Sequence, residues 1–411
     1  MSHTNKILII GAGFAGVWAA LAAMRHCKLL KKEKKFDITV INKDNYHGLR
    51  PRFYEENLEP TRISLDKVLT PYGIKHSIGE VTLIDHARQK VDLKTESSEL
   101  EIHDYDRLIL ASGSHLHSPP VPGLNKFGYN VDTYEAAHRL GKHLHALHKK
   151  PAKGRYTLVV VGGGFTGLEA ATDLISRMRK LAGDPKEGRV IIIDHAEIGH
   201  TLGKESQLVA QKALRDLGIE TKMNVHVSSI LEDHIILDNG EIIDTQTVVW
   251  TAGMRANTLT KMFPCELDHL GRIAVDKFLK INEVKNCFAA GDVAVAMTDE
   301  THPSLLQCQH AMPQGRWAGH NAVADIMGEP LVPYEQRKYV SIIDLGAWGA
   351  VYAEGWEGKI ISQGEAAREI KHYINHQRIS PLVDGNVEEL MEAAEPVFKA
   401  IPLTEGKGQY G

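Results

Sequence analysis

Short apolar runs of strand length, each closed by glycines and followed by an alanine- and leucine-rich stretch, set the rhythm of this chain. Residues 6–10 (KILII) lead into Gly-Ala-Gly-Phe-Ala-Gly and then into residues 17–24, where Ala and Leu recur. An unbroken apolar run of this length fits a strand buried on both faces, the glycines a tight turn, and the stretch beyond a helix. The plan returns far downstream as residues 157–161 (TLVVV), Gly-Gly-Gly-Phe-Thr-Gly and residues 168–175. The echo continues, with 37–42 (DITVIN) answered by 190–194 (VIIID) and 105–113 (YDRLILASG) by 245–253 (TQTVVWTAG). Repetition sustained over so many segments predicts two related units of the same construction.

A further strand at 286–292 (NCFAAGD) has no counterpart ahead of the second glycine string, so the first unit resumes after the second one ends. The expected fold class is therefore α/β, with two Rossmann-like, three-layer dinucleotide-binding domains, the second inserted into the first. The first occupies 1–120 and 266–340, the second 121–265, and a small C-terminal region 341–411. That last region opens on the Gly-rich stretch 345–358, after which helices are expected over 364–379 and 386–400.

A length of 411 residues exceeds one ordinary core and agrees with several domains. The 48 Lys and Arg against 52 Asp and Glu leave a formal charge of -4, which gives no long-range attraction to nucleic acid. Cys27, Cys265, Cys287 and Cys308 are scattered, without a Cys-x-x-Cys or zinc-ligand spacing, so a reducing compartment and no metal site are expected. The apolar stretch 7–23 is broken by Gly11, Gly13 and Gly16 and lacks a basic leader, so it reads as strand, turn and helix, not as a signal peptide. Elsewhere no run approaches the roughly 20 apolar residues of a membrane-crossing helix. The expected location is cytoplasmic, or peripheral at the inner face of the membrane.

Each glycine string carries a chemistry. Gly11 permits the tight turn, Gly13 lets the backbone approach a pyrophosphate, and Gly16 lets helix and strand pack closely; Gly162, Gly164 and Gly167 repeat these roles. Phosphates would rest on the helix N-terminus, where N–H groups lack partners. Such a site usually ends its second strand with an acid for the ribose hydroxyls. Asp194 fills that place in the second unit, and with no Arg in 195–201 it favours NADH over NADPH. Asn42 stands there in the first, either as a ribose partner of another kind or as a plain loop residue, with Asp44 close by. In 288–292 (FAAGD), Asp292 beside Gly291 could accept a bond from a polyol such as the ribityl chain of a flavin.

Together these segments resemble the flavoproteins with two dinucleotide-binding domains and, within them, the type II NADH:quinone oxidoreductases. The resemblance covers roughly residues 5–330. It rests on 11–16, the strand end 111–113 (ASG), 161–169 (VGGGFTGLE), 250–253 (WTAG), 290–292 (AGD) and 308–315 (CQHAMPQG). It implies FAD on Gly11, Gly13, Phe14, Ala15 and Gly16, with Asn42, Lys43, Ser112, Gly113, Gly291 and Asp292 completing the site. It implies NAD(H) on Gly162, Gly164, Phe165, Thr166 and Gly167, with Asp194 and Gly253. Glu169 matches the family's acid near the meeting of nicotinamide and flavin, where it would orient the nicotinamide or relay a proton. A helix-start carboxylate held by the dipole is its structural alternative.

By the same resemblance Gln309 and Gln314 line a quinone pocket and hydrogen-bond the quinone carbonyls, while Cys308 and Pro313 depart from the motif. His310 is either a proton carrier or a structural histidine. No paired cysteines follow the first glycine string, so the acceptor is not a disulfide of the chain itself. The resemblance implies that hydride passes from NADH to FAD, then two electrons to a quinone or other small acceptor. The rivals are an NADH-dependent reductase of a small redox protein, of ferredoxin or rubredoxin type, and a regulatory NAD-sensing flavoprotein.

His143, His145, His148, His372 and His376 read as solvated helix faces. The last helix carries Leu390, Met391, Ala394, Val397 and Phe398 on one side, but Glu388, Glu389, Glu392 and Glu395 make it acidic. It should pack on its own domain or on a second copy, which leaves room for a homodimer. The helix before it, with Arg368, Lys371, His372 and Arg378, is basic and leaves room for a weak membrane contact.

Overall fold

The computed structural model describes residues 3–149, 151–184, 186–383 and 385–399. β1 (Asn5–Ile10) buries every side chain from Ile7 to Ile10, and α1 (Phe14–Leu29) follows its glycine turn. β2 (Phe36–Asn42), β3 (Lys75–Ile78) and β4 (Arg107–Leu110) join β1 in parallel, in the order β4-β1-β2-β3. The second unit repeats the arrangement with β5 (Gly128–Tyr129), β6 (Thr157–Val161), α2 (Phe165–Ala182), β7 (Arg189–Asp194), β8 (Glu220–Met223) and β9 (Thr247–Trp250), in the order β5-β9-β6-β7-β8. β10 (Cys287–Ala289) then returns to pair in parallel with β4, so each sheet has five parallel strands. Parallel strands covered on both faces need no alternation, which is why the sequence shows continuous apolar runs.

The repeat reaches further than those runs show. Before β4 the chain forms an antiparallel meander of Glu80–Asp85, Lys90–Lys94 and Leu100–Asp104, and before β9 a second of Val227–Ile230, His234–Leu237 and Ile242–Asp244. The outgoing segment Ser114–Leu116 and the returning segment Met254–Ala256 pair antiparallel.

α3 (Cys308–Met327) lies against α1, which is buried from Ala15 to Cys27. The two backbones nearly touch: a Cβ on Gly315 would stand 2.2 Å from the Ala15 carbonyl oxygen, and one on Gly319 2.0 Å from that of Ala19. The matching register, 315 on 15 and 319 on 19, makes the helices parallel and sends both N-termini the same way. Pro313 lies inside α3 and cannot donate to the Gln309 carbonyl one turn back. The buried Gln336 supplies the missing bond, its Nε2 donating to that carbonyl at 3.1 Å.

The C-terminal region differs from expectation. The Gly-rich stretch 345–358 contains a strand, and β11 (Val340–Asp344), β12 (Ala350–Glu354) and β13 (Lys359–Gly364) form an antiparallel sheet. Its glycines take positive φ at Gly346, Gly349, Gly355 and Gly358, so they serve the turns between strands. α4 (Glu365–Tyr373) continues into a single π turn, Ile374–Arg378, which ends the helix expected to 379. α5 (Val387–Ala393) is shorter than the expected 386–400, of which residue 400 lies outside the described residues. Leu390 and Ala394 are fully buried on the first core, and Arg25 Nε donates to the Met391 carbonyl at 2.6 Å. No helix among the described residues is long and apolar enough to cross a membrane.

The α1–α3 contact yields a direct expectation. Gly319→Ala should lower stability by about 2 kcal/mol through overpacking, whereas Gly141→Ala, in helix Tyr134–Ala146 with open space at its Cβ, should be neutral or stabilising. Urea unfolding followed by circular dichroism reads both, and equal midpoints would refute the tight crossing.

Candidate active site

Three helix N-termini meet one cavity of about 490 Å³. Gly13, Phe14 and Ala15 open α1 onto it, Phe165 and Thr166 open α2, and Gln307, Cys308 and Gln309 open α3. None of these helices has a side-chain cap bond or an acidic residue in its first turn. Their first N–H groups and positive dipole ends are thus left for a ligand. The glycines divide the labour as the spacing requires. A Cβ on Gly16 would stand 1.8 Å from the Gly11 oxygen and one on Gly167 1.8 Å from that of Gly162, whereas Gly13, Gly113 and Gly164 face open space. A cavity of this size suits a cofactor, and its donors suit an anionic dinucleotide.

The ends of β2 and β7 brace these loops. Asp194 is buried, its Oδ2 accepting from Gly163 N at 2.5 Å and its Oδ1 from Ala196 N at 2.9 Å. Asn42 Oδ1 accepts from Ala12 N at 3.0 Å, the matching position of the first loop. Its Nδ2 donates to the Asp44 and Tyr46 carbonyls at 3.0 and 3.3 Å. A carboxylate would face those two oxygens without a donor, which accounts for Asn in the place of an acid. Lys43 pairs with Glu80 at 3.2 Å on the surface and does not line the cavity. His47, fully buried, bonds the Ala12 carbonyl through Nδ1 at 2.8 Å, and burial pulls it down to about 4. Nothing local in the sequence marks it.

Asp292 lines the cavity and accepts from Ser114 Oγ at 2.5 Å, and burial pushes its carboxyl up. Arg50 donates to the same hydroxyl at 2.9 Å and pairs with Asp132. Ser112 and Gly253 lie just outside the cavity lining, and Gly291 takes φ +76° at the turn.

The glutamine pair separates. Gln309 lines the cavity, but Gln314 is fully buried away from it, its Oε1 accepting from Gly291 N at 2.7 Å. Helical spacing is the reason: 309, 312, 313 and 316 share one face of α3, and 314 falls outside it. Gln314 therefore holds the Gly291–Asp292 turn and does not border an acceptor site as expected. Gln309 Nε2 donates to Gln307 Oε1 at 2.6 Å and to the Val340 carbonyl at 2.7 Å. Both amide hydrogens are thus engaged, leaving the amide oxygen as its remaining polar atom rather than the expected donor to a quinone. His310 is buried, stacks on Tyr339 at 5.9 Å and bonds Gln336 at 3.2 Å; burial pulls it down to about 4. Its structural reading is the one the packing supports. Burial pushes the Cys308 thiol up to about 11.

Glu169 meets Lys371 in a buried ion pair of 2.7 Å, both lining the cavity, and Glu169 also accepts from Asp344 N at 3.1 Å. Burial pushes the Glu169 carboxyl up while the Lys371 ammonium opposes it. The sequence offered Lys371 only as one cation of a basic helix. Its one local signal is its place four residues after the buried Ala367, on the inner face of α4. Among the described residues no group of His, Cys, Asp and Glu is placed to hold a metal.

The model of the pyridine nucleotide-disulphide oxidoreductase family matches residues 5–315. The chain is 43% identical over 403 residues to an NADH dehydrogenase-like protein of Mycobacterium tuberculosis, covering 97% of this chain and 100% of that one. It is 26% identical over 378 residues to the type II NADH:quinone oxidoreductase of Staphylococcus haemolyticus, covering 86% and 92%. NDH2 from Plasmodium falciparum, solved in complex with NADH, superposes with a TM-score of 0.78 at 14% identity, covering 96% and 100%. At that identity the likeness is one of fold.

Two measurements test the site. Lys371→Met strands a buried carboxylate and should cost about 3 kcal/mol, while Glu169→Gln with Lys371→Met should cost less than the two single losses summed; additive losses in urea unfolding would deny the pair. His47 and His310 titrate near 4 when folded and near 6.5 when unfolded. Below pH 6.5 the unfolded chain takes up protons that the folded chain refuses, so stability falls by up to ~1.4 kcal/mol per pH unit per histidine. It is complete above that pH, and His310→Gln should flatten the slope.

Proposed function

The chain belongs to the pyridine nucleotide-disulphide oxidoreductase family, and from that premise we propose that it oxidises NADH through FAD and delivers two electrons to a quinone. The observation that carries the reading is the single cavity on which three uncapped helix N-termini and the Glu169–Lys371 pair converge. Bound FAD supplies acceptance of the hydride and onward transfer of two electrons.

The chain's own groups divide between the two nucleotides. The α1 N-terminus and Gly13 would take the FAD diphosphate, and Asp292 with Ser114 the ribityl hydroxyls. The α2 N-terminus and Gly164 would take the NADH diphosphate, with Asp194 setting its loop and disfavouring an added ribose phosphate. A quinone that gains two electrons also needs two protons, one arriving with the hydride and one from solvent. Lys371 and Glu169 share a proton at 2.7 Å beside the cavity and can hold that second one. The four cysteines are free and scattered, so no disulfide of the chain competes for the electrons.

Anaerobic mixing with NADH should bleach the flavin spectrum, and a quinone should restore it faster than ferredoxin or rubredoxin does. NADH should exceed NADPH in kcat/KM by at least about tenfold. Glu169→Gln should slow quinone turnover by roughly a hundredfold and flavin reduction by much less. Restoration by the protein acceptors alone would reject the quinone reading, and failure to bleach would reject the NADH step.

A further inference from the structure

One end of the cavity is lined by a buried guanidinium, that of Arg316. Gln309, Met312, Pro313 and Arg316 fall on one face of α3 and all line the cavity. The wall therefore runs two turns from the helix start, about 10 Å. Arg316 is 7% exposed, with its guanidinium carbon 4.8 Å from the Trp18 ring centroid. It donates through Nη1 to the Val397 carbonyl at 3.3 Å, and its Nε is buried without a hydrogen-bond partner.

The acids that line the cavity are engaged elsewhere: Asp132 pairs with Arg50, Glu169 with Lys371, and Asp292 takes the Ser114 hydroxyl. Glu395, two residues before the Val397 carbonyl that Arg316 meets, pairs with Arg25 at 3.7 Å. The lining also carries Arg378, Lys399, which pairs with Glu392 at 3.8 Å, and apolar groups such as Ile379 and Phe398. Burial and the neighbouring Arg378 pull Arg316 down to about 10, so it stays charged at neutral pH. A buried guanidinium with an orphaned donor is unfavourable unless an anion meets it. The Arg316 side chain leans back toward the helix start, which brings its head within the span of a two-ring ligand resting near Gln309.

We propose that Arg316 receives an anionic, carboxylate-type substituent on the ring of the quinone that this chain reduces. The proposal rests on the quinone reading above and adds a substrate class to it. Met312, Pro313, Ile379 and Phe398 cover the apolar ring, and Arg316 selects acidic quinones over neutral ones. The FAD diphosphate is a second source of anionic oxygen, and the test separates the two.

The FAD-loaded full chain is assayed with NADH and either a carboxylated naphthoquinone or its methyl ester. Wild type should show a KM about tenfold lower for the acid. Arg316→Gln should raise the KM of the acid about 10- to 100-fold and bring it level with the ester, with FAD content retained, and Arg316→Lys should restore part of the preference. No preference in the wild type, or an equal loss with both quinones, overturns the proposal. Loss of FAD from Arg316→Gln assigns the residue to the cofactor diphosphate and also overturns it. Should neither quinone reoxidise the flavin, the quinone reading fails by itself. Binding of the redox-inert naphthoate, followed by the flavin spectrum, then decides the anion site: Arg316-dependent binding supports it and its absence rejects it.

Discussion

The contact on which the rest depends is the near touch of two helix backbones. Where Gly315 and Gly319 meet the Ala15 and Ala19 carbonyls, no side chain larger than hydrogen fits. The gap sets α3 parallel to α1 and brings Cys308 beside the first glycine loop, so two helix dipoles act on one cavity. The cost falls on α3, whose first turns must shape the cavity wall and carry Pro313. Gln336 absorbs it by bonding the Gln309 carbonyl that Pro313 leaves free, and it bonds His310 as well. His310 and Pro313 are thus joined through Gln336 in one structural unit.

A second constraint ties the C-terminal region to the nucleotide units. Lys371 reaches from α4 to Glu169 on α2, and both are buried, so neither charge is tolerable without the other. The pair closes the cavity with charge on the α2 side. Along the cavity face of α3 the one charged side chain is Arg316. One cavity thereby has the Glu169–Lys371 pair beside α2 and the Arg316 guanidinium over Trp18 of α1.

What the sequence reveals follows the range of the interaction. The glycine turns, the buried parallel strands and the return of β10 are local patterns of conformation and hydropathy, so they read directly. Gln314 was misplaced because its position in a motif says nothing of helical phase, and one residue moves a side chain about 100° around the axis. Asn42 shows the same limit from another side. Its identity answers to the carbonyls of Asp44 and Tyr46, which only the folded loop brings to it. Lys371, His47 and Gln336 meet their partners across long stretches of chain, and no spacing rule announces such pairs. The meanders escaped because their short strands alternate in the ordinary way of half-exposed sheet.

The duplicated units also show where the chain has been free to diverge. Ala12 and Gly163 hold equivalent places, and each donates its N–H to the residue that ends the second strand, Asn42 in one unit and Asp194 in the other. A carboxylate suffices where its second oxygen finds the Ala196 N–H, whereas an amide is needed where the neighbours are carbonyls. The same geometric task therefore selects different charges in the two copies. The amide of the first loop also meets the Asp44 carboxylate at 3.3 Å, whereas the carboxylate of the second loop takes two backbone N–H groups. The asymmetry between the two glycine loops follows from how each brace satisfies its own hydrogen bonds.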